Sequence, residues 1–128
     1  MVKKAITTPK AKAIGPYSVA IESGELVFVS GQIPLDSIAG KLVEGDIAAQ
    51  TSQSLENLKT ILAAAGLTFA HVVKTTIFLT SMGDFAAVNE VYKAYMAEPY
   101  PARSTIAVAA LPMGAKVEIE MIAARSAA

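Results

Sequence analysis

The chain has 128 residues with no cysteine, no tryptophan and a single histidine, and only two of its eleven basic residues are arginines. Without cysteine there is no disulfide, no thiolate nucleophile and no sulfur ligand for a metal. That fits a reducing compartment. His71, alone at a helix-to-strand junction, cannot furnish a transition-metal site, which draws on several nitrogen or sulfur ligands. No serine carries a nucleophile signature, so a surface or structural role is expected for His71. Basic and acidic residues balance at 11 each, and the net charge is zero. No basic field exists to attract phosphate backbones, and nucleic acid is not an expected partner. "SMGDF" has one glycine and no following lysine, so it is no phosphate loop. No stretch approaches the ~20 apolar residues of a membrane span. "MVKKAITTPKAKAIGPYS" lacks the apolar segment, roughly 7–15 residues long, of a signal peptide. A soluble, cytoplasmic protein with no membrane partner and no metal is the expectation.

What is present is aliphatic. Hydrophobic residues make up 53% of the chain and aromatics 6%. The length indicates a single domain, residues 1–128. A domain of this size hides about two-thirds of its unfolded surface, so part of the apolar excess is expected in a subunit interface.

Residues 1–16 read as an extended or irregular entry ending in Gly15-Pro16. Ser23-Gly24 between two apolar-rich runs is a hairpin signal, with strands near 17–22 and 25–30. "DIAAQTSQSLENLKTILAAAG" is a helix capped by Asp46 and ended by Gly66. Ile47, Thr51, Leu55, Leu58, Leu62 and Ala65 form its buried stripe. "HVVKTTIFLT" at 71–80 is β-branched and reads as a strand. Asp84 is expected to cap a second helix, 85–97, with Phe85, Val88, Tyr92 and Tyr95 or Met96 inward. Glu98-Pro99 ends it. "RSTIAVAAL", about 103–110, and "KVEIEMIAA", about 116–124, read as strands joined through "PMGA" as a hairpin loop. The order is β-β-α-β-α-β-β, an α+β domain of one sheet with both helices on one face.

The second face of that sheet is unusual. In "VEIEMIAA", Glu118, Glu120, Ile122 and Ala124 share a side that turns from polar to apolar. A face open to water stays polar along its length, so this one is expected to be covered by a partner subunit.

Three candidates for chemistry stand out. Glu118 and Glu120 lie roughly 6.6 Å apart on one side of a strand; they are either a solvated face or an acid or base in a cleft. Arg103 follows Pro99 and Pro101 and shares its side with the small Thr105, Ala107 and Ala109. A guanidinium is a planar fork suited to a carboxylate. Arg103 is therefore either an anchor for an anionic ligand or an ion-pair partner of Glu118 or Glu120 on an adjacent strand. Tyr17, directly after Gly15-Pro16, is either an aimed ring or the cover of a core edge.

"GPYS" at 15–18, "VSGQIP" at 29–34, "QSLENLKTILAAAG" at 53–66, "FAAVNEVYKAYM" at 85–96, "YPARSTIAVAALP" at 100–112 and "VEIEMIA" at 117–123 together resemble the RidA family, also called YjgF/YER057c/UK114. The resemblance runs in order across nearly the whole chain. It implies a chorismate-mutase-like fold, a single mixed sheet with two helices on one face, assembled as a homotrimer with sites at subunit interfaces. It implies hydrolysis of 2-imino or 2-enamino acids, released by pyridoxal-phosphate dehydratases, to 2-keto acids and ammonia, with no cofactor. By the same resemblance Arg103 clamps the substrate carboxylate and Glu120 positions the attacking water. Tyr17, Ser30, Gly31 and Asn89 line the cleft. Thr105 stands where many members have cysteine, so chemistry attributed to that thiol cannot apply. Competing roles are a small-carboxylate-binding regulator, an endoribonuclease or translation inhibitor, and a holdase-like chaperone.

Overall fold

Alternating apolar side chains at both ends of the chain are drawn into one sheet, and the two long amphipathic segments close over it. The computed structural model describes residues 2–127. In chain order the strands and helices are β1 (Lys4–Ile6), β2 (Ala20–Ser23), β3 (Leu26–Gln32), β4 (Leu35–Asp36), β5 (Lys41–Leu42), α1 (Ile47–Ala64), β6 (Val72–Leu79), α2 (Phe85–Tyr95), β7 (Ala102–Ala107) and β8 (Val117–Ala124). The main sheet has six strands in the order β1-β2-β3-β8-β6-β7, and β4 and β5 form a separate two-stranded ribbon. Only β6 and β7 run parallel; every other pairing is antiparallel.

The β2–β3 hairpin turns through Gly24 at φ +59°, with Ser23 opposite Leu26. Asp46 caps α1, its Oδ1 accepting from the Ala49 N–H at 2.9 Å. The helix closes as its end residues suggested. Gly66 sits at φ +77°, and the N–H groups of Gly66 and Leu67 bond back to Ala63 and Leu62. Thr51, Leu55, Leu58 and Leu62 are buried as the periodicity indicates, with Ile61 added. Asp84 behaves otherwise than expected. It stands at the start of α2 but makes no side-chain cap bond. The capping oxygen is Ser81 Oγ, which accepts from Gly83 N–H and starts a short 3-10 turn, Met82–Asp84, that leads into the helix. α2 buries Val88, Tyr92 and, just past its end, Met96.

The "PMGA" hairpin between the last two strands is overturned. Residues Pro112–Gly114 form a 3-10 turn, β7 lies at the sheet edge beside β6, and β8 inserts between β3 and β6. Burial accounts for the choice. Val117, Ile119, Met121 and Ala123 of β8 are at most 2% exposed, as suits a central strand packed beneath α1. β7, with Arg103, Ser104 and Thr105, tolerates the edge. α2 joins the parallel pair β6 and β7. α1 joins β3 to β6, both antiparallel to the β8 between them. Such crossovers are right-handed, which puts both helices on the same face.

The other face is open in the single chain. Leu26, Phe28 and Ile106 are 38%, 42% and 46% exposed. Beside them Lys74 Nζ donates to Ser104 Oγ at 3.0 Å. The second arginine is structural. Arg125 pairs with Glu22 and donates to the Ala65 carbonyl at 2.8 Å, tying the last strand to the first hairpin and to the end of α1. His71 is also structural: its Nδ1 accepts from Thr68 N–H at 3.1 Å.

Candidate functional site

Strand parity separates the candidate residues into two groups. On β7, Arg103 and Thr105 point to the helix face. Arg103 is opposite Thr75 and Thr105 opposite Ile77, both buried beneath the helices. On β8, Glu118 and Glu120 point the other way, opposite Phe78 and Thr76. The expected ion pair between Arg103 and either glutamate is therefore absent within one chain. β7 and β8 are not neighbours, and the side chains stand on opposite faces of the sheet.

In the first group, the Arg103 guanidinium carbon lies 5.0 Å from the ring centroid of Tyr92 and 5.6 Å from that of Phe85. Aromatic faces attract cations through their quadrupoles. Among the described residues no carboxylate pairs with Arg103, the one ion pair being Arg125 with Glu22. Arg103, Asn89, Tyr92, Tyr100 and Pro101 line a cleft of about 340 Å³. One step along β7, the Thr105 hydroxyl is buried with no hydrogen-bond partner. This group offers a cation with its back covered and its donors free, beside a buried hydroxyl and an amide. That arrangement suits a small carboxylate.

The second group centres on a bulge. Val29 is opposite Met121 and Gln32 opposite Ile119, so Ser30 and Gly31 together face the single residue Glu120. Ser30 Oγ donates to the Ser18 carbonyl at 2.6 Å, holding the segment that carries Tyr17 against β3. Gly31 lies directly against the Glu118 side chain. A Cβ there would meet Glu118 Oε2 at 2.8 Å and its Cδ at 2.9 Å. Ser30 and Glu120 line a shallow cleft of about 280 Å³ with Ile21, Phe28 and Ile122. Glu120 is exposed and Glu118 half-buried. Burial, then repulsion from Glu120, pushes the Glu118 carboxyl above its ordinary pKa. Tyr17 is 47% exposed, and its hydroxyl accepts from Ile14 N–H at 3.4 Å.

The sequence thus places Arg103, Thr105 and Asn89 together, and Ser30, Gly31 and Glu120 together, but one chain does not join the groups. Tyr92 and Phe85 were legible only as core positions, because a ring at helical spacing looks the same whether it packs a core or backs a cation. Glu118 stood level with Glu120 by spacing; contact with Gly31 distinguishes it. Among the described residues no cluster of three or more His, Cys, Asp or Glu is placed to hold a metal ion.

Fold and site together define a small α+β domain, two helices on a mixed sheet, with a cleft of about 340 Å³ lined by an aromatic-backed arginine. The family model described as Endoribonuclease L-PSP matches residues 7–125. A Myxococcus xanthus protein named DfrA is 56% identical over 126 residues, covering 96% of both chains. A Mus musculus protein named 2-iminobutanoate/2-iminopropanoate deaminase is 49% identical over 124 residues, covering 96% of this chain and 92% of the mouse protein. The crystal structure of E. coli TdcF with bound serine superposes with a TM-score of 0.90 at 45% identity, covering 96% of this chain and 99% of that one. The chain belongs to this family, RidA or YjgF/YER057c/UK114.

Proposed function

We propose that the protein is a cofactor-independent hydrolase, a 2-iminobutanoate/2-iminopropanoate deaminase, working as a homotrimer whose sites lie between subunits. The observation that carries this reading is Arg103, aromatic-backed, facing a cleft of about 340 Å³ and unpaired with any carboxylate among the described residues. The mouse relative's name and the serine bound in the E. coli relative support a small amino-acid-like carboxylate as its partner. The open, partly apolar sheet face supports a second copy as its cover.

The substrate carboxylate sits in the fork of Arg103, with Asn89 and the main chain around Thr105 as further donors. A neighbouring copy contributes Ser30, Gly31 and Glu120 from its open face, and its Tyr17 covers the short carbon skeleton. The protonated imine carbon is already electrophilic, so orientation and one held water supply most of the catalysis. Water attacks that carbon and gives a proton to Glu120. Glu120 returns the proton to the nitrogen of the tetrahedral adduct. As the carbon–nitrogen bond breaks and ammonia departs, Glu120 takes the hydroxyl proton, the oxygen becomes the keto oxygen, and Glu120 passes that proton to ammonia as ammonium. One protonated imine and one water give one 2-keto acid and one ammonium ion, with no redox change.

The test couples the protein to a threonine or serine dehydratase and follows keto acid release and semicarbazide trapping of the imine. The expected result is faster release and less trapping. Unchanged rates would reject the deaminase reading. A second reading, a carboxylate-binding regulator without turnover, is favoured by the separation of Arg103 from Glu120 in one chain. Binding of 2-ketobutyrate with no imine turnover would select it.

A further inference from the structure

The aromatic floor beneath Arg103 is itself held in place. Tyr92 is 5% exposed, and its hydroxyl is 2.9 Å from Thr75 Oγ1, a buried contact. Thr75 is directly opposite Arg103 in the β6–β7 register. The Tyr92 ring is therefore fixed relative to the same strand pair that carries the arginine, and the guanidinium rests on its face at 5.0 Å. An arginine stem has several rotatable bonds, and freezing them costs binding energy. A ring that holds the guanidinium before a ligand arrives moves part of that cost from binding to folding.

We propose that Tyr92, anchored through its hydroxyl to Thr75, is a positioning residue that sets the plane of the Arg103 guanidinium and so aims its free donors at the cleft. This rests on the reading of Arg103 as the carboxylate anchor. A residue serving the core alone would need only the bulk of the ring. The bond from its hydroxyl to the register partner of Arg103 is what a positioning role adds. Phe85, at 5.6 Å, closes a second side.

The test uses the arginine Nε–Hε NMR signals of the full chain. There are two, because the sequence has two arginines, and Arg125, tied to Glu22 and the Ala65 carbonyl, serves as an internal rigid reference. In Tyr92→Leu the Arg103 signal should lose the Tyr92 share of its ring-current shift, with only that of Phe85 remaining, and its order should fall, and the affinity for 2-ketobutyrate should fall about tenfold. The Arg125 signal should not move. Because truncating a buried ring threatens folding, Tyr92→Phe and the double variant Thr75→Val/Tyr92→Phe are measured as well. Removing both hydroxyls relieves the unpaired buried group, so the double variant should recover stability. Its Arg103 order and keto acid affinity should stay below wild type. An Arg103 signal and an affinity equal to wild type in folded Tyr92→Phe and in the double variant would overturn the proposal. Failure of 2-ketobutyrate to bind the wild type would instead strike the anchor reading, and the Arg103 signal would still decide whether Tyr92 positions it.

Discussion

A half-buried arginine is ordinarily met by a carboxylate, because burying an unpaired charge is costly. Arg103 is met by the rings of Tyr92 and Phe85. They stabilise the cation and leave its hydrogen-bond donors unpaired among the described residues. Arg103→Ala should lower turnover on the order of a hundredfold with the fold intact, since charge-assisted bonds to a carboxylate carry about 1.5–3 kcal/mol. Arg103→Lys should recover little, because an ammonium lacks the fork. The coupled dehydratase assay reads both, and full activity in either would remove Arg103 as anchor. Glu118 gives a pH signature. Burial and Glu120 raise its pKa in the folded state, so the folded chain holds the proton more tightly than the unfolded one. The associated stability is full below the ordinary carboxylate pKa and is lost as pH rises through the raised value. Glu118→Gln removes that loss. In urea unfolding the variant should be the more stable at neutral pH, with the difference closing below about pH 4. A variant less stable at neutral pH would contradict this assignment.

Local signals resolve the helices well and the strand order poorly. Asp46, the apolar stripe and Gly66 make α1 readable in advance, since every cue lies within a few residues. Asp84 shows the limit: the right residue type stands at the right place, yet Ser81 does the capping one turn earlier. Asp46→Ala should therefore cost about 1 kcal/mol, Ser81→Ala a similar amount, and Asp84→Ala almost nothing. Chemical denaturation of the three variants checks the ranking. The neighbours of β7 and β8 could not be read from "PMGA", because pairing depends on which strand the helices bury, a property of the assembled layers. Side-chain parity along each strand was legible, and it put Arg103 with Thr105, and Glu118 with Glu120, on the correct sides. Which side faces the helices required the topology. That is why an Arg103–glutamate pair stayed plausible from sequence and fails in the structure.

At the scale of the whole molecule, the two groups of candidate residues stand on opposite faces of one sheet. Leu26, Phe28 and Ile106, on the sheet face that carries Glu118 and Glu120, are exposed, although the apolar content of the chain suggests a covered face. A closed ring of copies satisfies both facts, because a heterologous contact sets one face of each subunit against a different face of the next. The most direct test is complementation. Arg103→Ala and Glu120→Gln chains, each expected to be nearly inactive alone, are co-expressed in equal amounts and assayed with a dehydratase. If every site takes its arginine from one copy and its glutamate from the next, random assortment restores about a quarter of wild-type activity. If mixed assemblies form and stay as inactive as the separate variants, the Arg103 and Glu120 groups do not work together.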